Sequence, residues 1–104
     1  MKLIAEIRVN PEHFEAARAA AAGIIARTRA EAGCHVFDVF ADADGARLFI
    51  IEHWADPAAF DFHHAQDYTR EVFAAYEKWL AGPPVLTSVE AVEPSTPPRE
   101  TPRR

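Results

Sequence analysis

The chain has 104 residues, 49% of them hydrophobic and 26% charged, with a formal net charge of −5. That balance suits one globular domain and excludes a disordered chain of low hydrophobicity; no apolar run approaches the ~18 residues of a membrane span. A domain this short buries roughly 60–65% of its unfolded surface, so a partner subunit would add useful burial.

The single cysteine, Cys34, leaves no intramolecular disulfide and no thiolate cluster for zinc, so a reducing cytoplasm is the expected location. Glu6 and Arg8 interrupt the early apolar stretch MKLIAEIRV, which does not read as a signal peptide. Residues 1–92 are acidic without a basic stripe, so neither nucleic acid nor a membrane is expected as a partner. The tail 93–104, EPSTPPRETPRR, is rich in proline and arginine and is expected to be disordered or extended, outside the domain at 1–92.

Residues 2–9 alternate as a strand. Asn10-Pro11 then reads as an N-cap and first helical position, opening a helix with Phe14, Ala17, Ala21, Ile24 and Thr28 on one face. Gly33 is expected to end that helix in a left-handed conformation. Residues 34–41 and 46–54 read as a hairpin whose Asp44-Gly45 supplies positive φ. The second of these strands places Arg47, Phe49, Ile51 and His53 on one face and Leu48, Ile50, Glu52 and Trp54 on the other. Both faces are largely apolar, so both need a cover.

Asp56-Pro57 repeats the cap-and-proline signal and opens a short helix through His64. A longer helix runs from about Asp67 to about Ala81, with Thr69, Val72, Phe73, Tyr76, Trp79 and Leu80 as its inner stripe. Gly82-Pro83-Pro84 stops it, and residues 85–92 form a last strand. The order β-α-β-β-α-β is the ferredoxin-like α+β pattern. Its helices can cover only one sheet face. A second copy is the simplest cover for the other, giving a homodimer in the form of a dimeric α+β barrel.

Glu31-Ala-Gly33-Cys34-x-x-Phe37-x-Val39, followed by Phe49-x-x-Glu52-x-Trp54-x-Asp56-x-x-Ala59 and by His63 nine residues after the tryptophan, resembles the antibiotic biosynthesis monooxygenase family. The resemblance covers roughly residues 1–92 and implies the same dimeric barrel. It also implies several activities: oxidation of quinols or polycyclic phenols by dioxygen without a cofactor, haem degradation, or isomerisation. The haem-degrading branch carries an asparagine in the first strand, then a tryptophan and an iron-ligating histidine. Here those positions hold Ile7, His63 and Phe73, which argues against haem.

The leading expectation is a cofactor-independent monooxygenase acting on a small aromatic substrate, with no metal and no prosthetic group. His63 and Tyr68 are the catalytic candidates, His63 as general base because imidazole titrates near neutrality. Trp54, Phe37 and His64 are the substrate-binding candidates, the aromatic rings as walls for a flat substrate. Only one of the adjacent histidines is expected to point fully into a pocket, since helix neighbours diverge by about 100°. For the same reason they do not form a chelating pair. Glu52 is expected to satisfy a neighbouring donor, His53 to lie on the outer face, and Arg47 to pair with Asp38. The alternatives are a non-catalytic ligand-binding or scaffold module, and an isomerase or cyclase of polyketide-like intermediates.

Overall fold

In a computed structural model, residues 1–93 are described; the tail expectation falls almost wholly on residues 94–104, outside them. The strands are β1 (Lys2–Arg8), β2 (Cys34–Asp42), β3 (Arg47–Trp54) and β4 (Val85–Val89). The helices are α1 (Phe14–Gly23), α2 (Ile25–Arg29), α3 (Pro57–Ala65) and α4 (Asp67–Trp79). One sheet of order β2-β3-β1-β4, antiparallel throughout, carries all four helices on one face. This is the ferredoxin-like α+β fold. Among the described residues, no helix is long and apolar enough to cross a membrane.

Strand alternation divides the sheet residues between the two faces. Leu3, Ala5, Ile7, Phe37, Leu48, Ile50 and Trp54 bury against Phe14, Ala17 and Ala21 of α1 and Val72 and Tyr76 of α4. Trp54 and Leu48 have no exposed surface at all. Full burial of an apolar side chain of this size contributes roughly 1.5–3 kcal/mol. The opposite face holds Ile4, Val36, Phe40, Phe49, Ile51, Val85 and Val89, of which Phe40 is 56% and Ile51 41% exposed.

Several local details depart from the sequence expectations. The first helix is not continuous. After a single 3-10 turn at Pro11–His13, α1 stops at Gly23, and Ile24 sits at φ −106°, ψ −2° before α2 begins. Glycine weakens the helix there, and the change of direction lets Thr28 bury, its hydroxyl donating to Ile24 C=O at 2.7 Å. Asn10 holds the N-cap position, but its side chain makes no capping bond.

The second helix ends at Arg29, not Gly33, and no glycine has positive φ. Gly33 is required by space: a Cβ there would overlap the Cβ of Ala59 on α3. The hairpin also differs. Asp42 accepts the Gly45 N–H at 3.1 Å and the Arg47 guanidinium at 2.9 Å, and positive φ falls on Ala46 at 52°. Ala46 keeps that conformation, which costs roughly 1–2 kcal/mol, because its carbonyl accepts the Val9 N–H at 2.9 Å. Arg47 therefore pairs with Asp42, its direct cross-strand neighbour, while Asp38 pairs with Arg29 at 2.9 Å. The last helix ends at Trp79 and the last strand at Val89, both short of the expected limits.

Gly33→Ala should destabilise the fold by roughly 1–3 kcal/mol through overpacking against α3. A lowered urea midpoint, partly recovered when Ala59→Gly is added, is the expected result.

Candidate functional site

The site is built where the turn after α2 meets α3. Asp56 caps α3 by accepting the Ala59 N–H at 2.8 Å, with Pro57 in the first turn. Ala59 abuts Gly33, and Ala55 N–H donates to Gly33 C=O at 2.8 Å. One helical turn after Ala59 comes His63; two residues before Gly33 comes Glu31. The close approach of Gly33 to Ala59 therefore brings these two side chains together.

His63 is 3% exposed, and its Nδ1 lies 2.8 Å from Glu31 Oε2. The Tyr68 hydroxyl donates to the same carboxylate oxygen. A carboxylate oxygen is an acceptor, so Nδ1 carries the proton and Nε2 is the nitrogen with a free lone pair. The Trp54 ring stacks on the imidazole, centroids 4.8 Å apart at 30°, and Phe37 lies 5.7 Å away. Trp54 also donates its indole N–H to Glu52 Oε1 at 2.9 Å. His64 donates Nδ1–H to Phe60 C=O at 2.9 Å, which leaves its own Nε2 unprotonated in the neutral ring.

A small cavity of about 40 Å³ lies between sheet and helices. Its walls are mostly apolar: Ala5, Ile7, Phe37 and Ile50 from the sheet, Ile24, and Val72, Phe73 and Tyr76 from α4. His63, His64, Thr69 and Glu52 supply the polar groups. Among buried side-chain nitrogens and oxygens of the described residues, Glu31 Oε1 alone is sealed without a partner. The unbonded Nε2 of His63 is thus not sealed, and the His63 side chain borders this cavity. Outside it, Phe73, Tyr76, Leu80, Pro83 and Pro84 wall an open groove of about 350 Å³. Phe73, Tyr76 and Pro84 belong to both.

Burial pushes the His63 imidazole below its ordinary range, and its bond to Glu31 offsets only part of that shift. Burial raises the Glu52 carboxyl, partly offset by the indole bond. Tyr68 is pushed up to about 12 by burial and by its contact with Glu31. Burial alone raises Tyr76 to about 12.

Of the residues singled out in the sequence, His63, His64 and Phe37 meet at the cavity. Both histidines border it, not one, because the cavity wraps the corner between α3 and α4. Trp54 and Tyr68 do not line it. The tryptophan is fully buried behind His63, and the tyrosine hydroxyl turns back to Glu31. Glu31 was not among the candidates. It stands in the Glu-x-Gly-Cys run, but its contact with His63 spans 32 residues and has no local signal.

A histidine whose folded pKa is lowered takes up its proton more readily when unfolded, so stability is retained above the unfolded value near 6.5 and lost as pH falls below it. Urea midpoints should fall between pH 7 and pH 5.5, and His63→Gln should reduce that fall. A pH dependence unchanged by the substitution would contradict this. His53, also lowered by burial first and then by Lys2, contributes equally to both proteins and cancels in the comparison.

The antibiotic biosynthesis monooxygenase family profile matches residues 1–75. Rv0793 of Mycobacterium tuberculosis, named as a candidate monooxygenase, is 31% identical over 85 residues, covering 82% of this chain and 84% of that protein. YcnE of Bacillus subtilis, named in the same way, is 29% identical over 92 residues, or 88% of this chain and 97% of its own. The solved structure of Rv0793 superposes with a TM-score of 0.81 at 29% identity, over 90% of this chain and 97% of that one. PA3566 of Pseudomonas aeruginosa gives the same TM-score and identity over 88% of this chain and 93% of its own. With the profile spanning most of the domain and the fold shared end to end, this chain belongs to the antibiotic biosynthesis monooxygenase family.

Proposed function

We propose that the protein oxidises a quinol or polycyclic phenol with dioxygen and without a prosthetic group, with His63 as general base. One observation carries this reading: a buried histidine that borders an apolar cavity has Nδ1 held by Glu31 and Nε2 left without a bond. The lowered pKa keeps Nε2 unprotonated at neutral pH, ready to accept a phenolic proton. The resulting phenolate is electron-rich and reacts with oxygen. One oxygen atom becomes a ring carbonyl, the other leaves as water, and the substrate supplies the electrons. Glu31 stabilises the imidazolium that forms, and Tyr68, through Glu31, holds the carboxylate in place.

A cavity of about 40 Å³ is too small for an aromatic ring, since benzene occupies engineered cavities of about 150 Å³. The reacting edge therefore enters the cavity while the remaining rings lie in the groove beyond Phe73. Phe37 and His64 line the cavity and bound that edge. Trp54 acts by positioning His63, not by touching substrate.

Family names support monooxygenase chemistry in general; the phenolic substrate rests on the histidine and its apolar surroundings. Oxygen uptake with a panel of hydroquinones and anthrones should be measurable for the wild type and fall by about 100-fold or more in His63→Ala. Uptake equal in the two proteins, or absent from both across the panel, defeats the proposal.

The same reading includes a cytoplasmic homodimer, in which a second copy covers the outer sheet face. Phe40, Ile51, Val85 and Val89 are exposed there as one apolar surface. Light scattering at micromolar concentration should give twice the chain mass, and Ile51→Asp should lower it to the monomer value.

A further inference from the structure

Glu52 has no part in the oxidation as described, yet it lines the same cavity as His63. It is 6% exposed and stands on the helix face of β3, between Ile50 and Trp54. The Trp54 indole N–H takes Oε1. The other oxygen, Oε2, has no hydrogen bond and is not sealed, because the sole sealed and unpartnered atom among the described residues is Glu31 Oε1. His63 and Glu52 thus each carry one polar atom without a bond, Nε2 and Oε2, and both side chains line one small apolar space. A single rigid ring holds both: Trp54 stacks on the imidazole and donates to the carboxyl.

We infer that Glu52 is a second reacting group, a carboxylic acid that donates its Oε2 proton to the carbonyl oxygen of an enolisable ring ketone while His63 removes the proton from the adjacent carbon. The inference rests on the reading of His63 as base. In this step a C–H bond breaks and its proton goes to Nε2. The electron pair forms a C=C bond, and the carbonyl oxygen takes the Oε2 proton to become a hydroxyl. The product is the enol, which in a fused aromatic ketone is the phenol. Nothing is oxidised, so no dioxygen is consumed. The same cavity thus accepts the keto form of its phenolic substrate and converts it to the form that oxygen attacks.

Burial supports a neutral Glu52, raising its carboxyl in the direction an acid needs, while His63 is lowered in the direction a base needs. The groups facing Glu52 are His63 and His64 on α3, Tyr76 on α4 and Cys34 on β2. Among these, His64 favours the ionised form, but less strongly than burial opposes it.

The test is anaerobic hydrogen–deuterium exchange at the methylene of anthrone in D₂O, followed by proton NMR with the buffer rate subtracted. Wild-type protein should accelerate exchange. The acceleration should rise as His63 deprotonates and fall again on the alkaline side as Glu52 ionises. Glu52→Gln keeps an acceptor for the indole but has no proton to transfer. Its kcat for exchange should drop by about 100-fold with little change in KM, and the alkaline fall should vanish. Exchange by Glu52→Gln at the wild-type rate with the same alkaline fall overturns the inference. If the variant does not fold, as judged by circular dichroism, the wild-type profile decides: a level alkaline side overturns it. Oxygen uptake in air without anaerobic exchange would sink this inference and leave the oxidase reading standing. Exchange without uptake would do the reverse.

Discussion

The bond between Glu31 and His63 depends on one steric fact, that residue 33 has no Cβ. Gly33 lets the turn after α2 lie against Ala59, and α3 then presents His63 to the Glu31 carboxylate at 2.8 Å. From that contact follow the tautomer of the imidazole, the direction of its free lone pair, and the placement of Trp54 against its face. A helix start set by Asp56 and Pro57 fixes where along the chain this occurs. Small residues at a helix–turn contact are usually explained by backbone conformation. Here the explanation is distance, since Gly33 has no unusual φ.

The arrangement is costly to fold. A carboxylate side chain 8% exposed receives two donors on one oxygen and none on the other. Removing such a group from water is expensive unless its hydrogen bonds are all made. Burial likewise disfavours the charged form of His63. An ordinary core would fill this space with leucine or phenylalanine. A domain that instead buries Glu52, His63 and Thr69 beside a small cavity, with Glu31 and Tyr68 half-buried next to His63, gives up stability for fixed orientation of polar groups. The sheet supplies the rigidity, because Trp54 is held without exposed surface against the His63 ring.

Two kinds of aromatic side chain surround this site. Trp54 and Phe37 are immobilised by the core, whereas Phe73 is 40% exposed and stands between the cavity and the outer groove. Rigid groups thus hold His63, and the exposed ring lies between the cavity and the groove outside it. On the far side of the sheet, Phe40, Ile51, Val85 and Val89 remain exposed to solvent.

The fold was legible in the amino-acid order because it is written in local signals. Alternation marked the strands, Asp56-Pro57 marked α3, and Gly82-Pro83-Pro84 marked the end of α4, each acting over a few residues. The motif that suggested the family also lies within short spacings. Where expectation failed, competing local effects decided: Gly23 broke a helix that the apolar spacing continued, and Asp42 took over a turn that Asp-Gly chemistry assigned to Gly45. His63 could be singled out because a histidine at that spacing is visible in one dimension. Its partner could not. Glu31 is 32 residues away, and no periodicity links the two. The same holds for Trp54, which reads as a candidate wall in sequence but becomes a buried plate once α3 folds over it. The sequence alone determined the order of strands and helices and which titratable side chains the chain offers, because those depend on neighbours along the chain. Only the tertiary structure decided which of those groups meet and which nitrogen is left free, because that depends on the packing of Gly33 against Ala59.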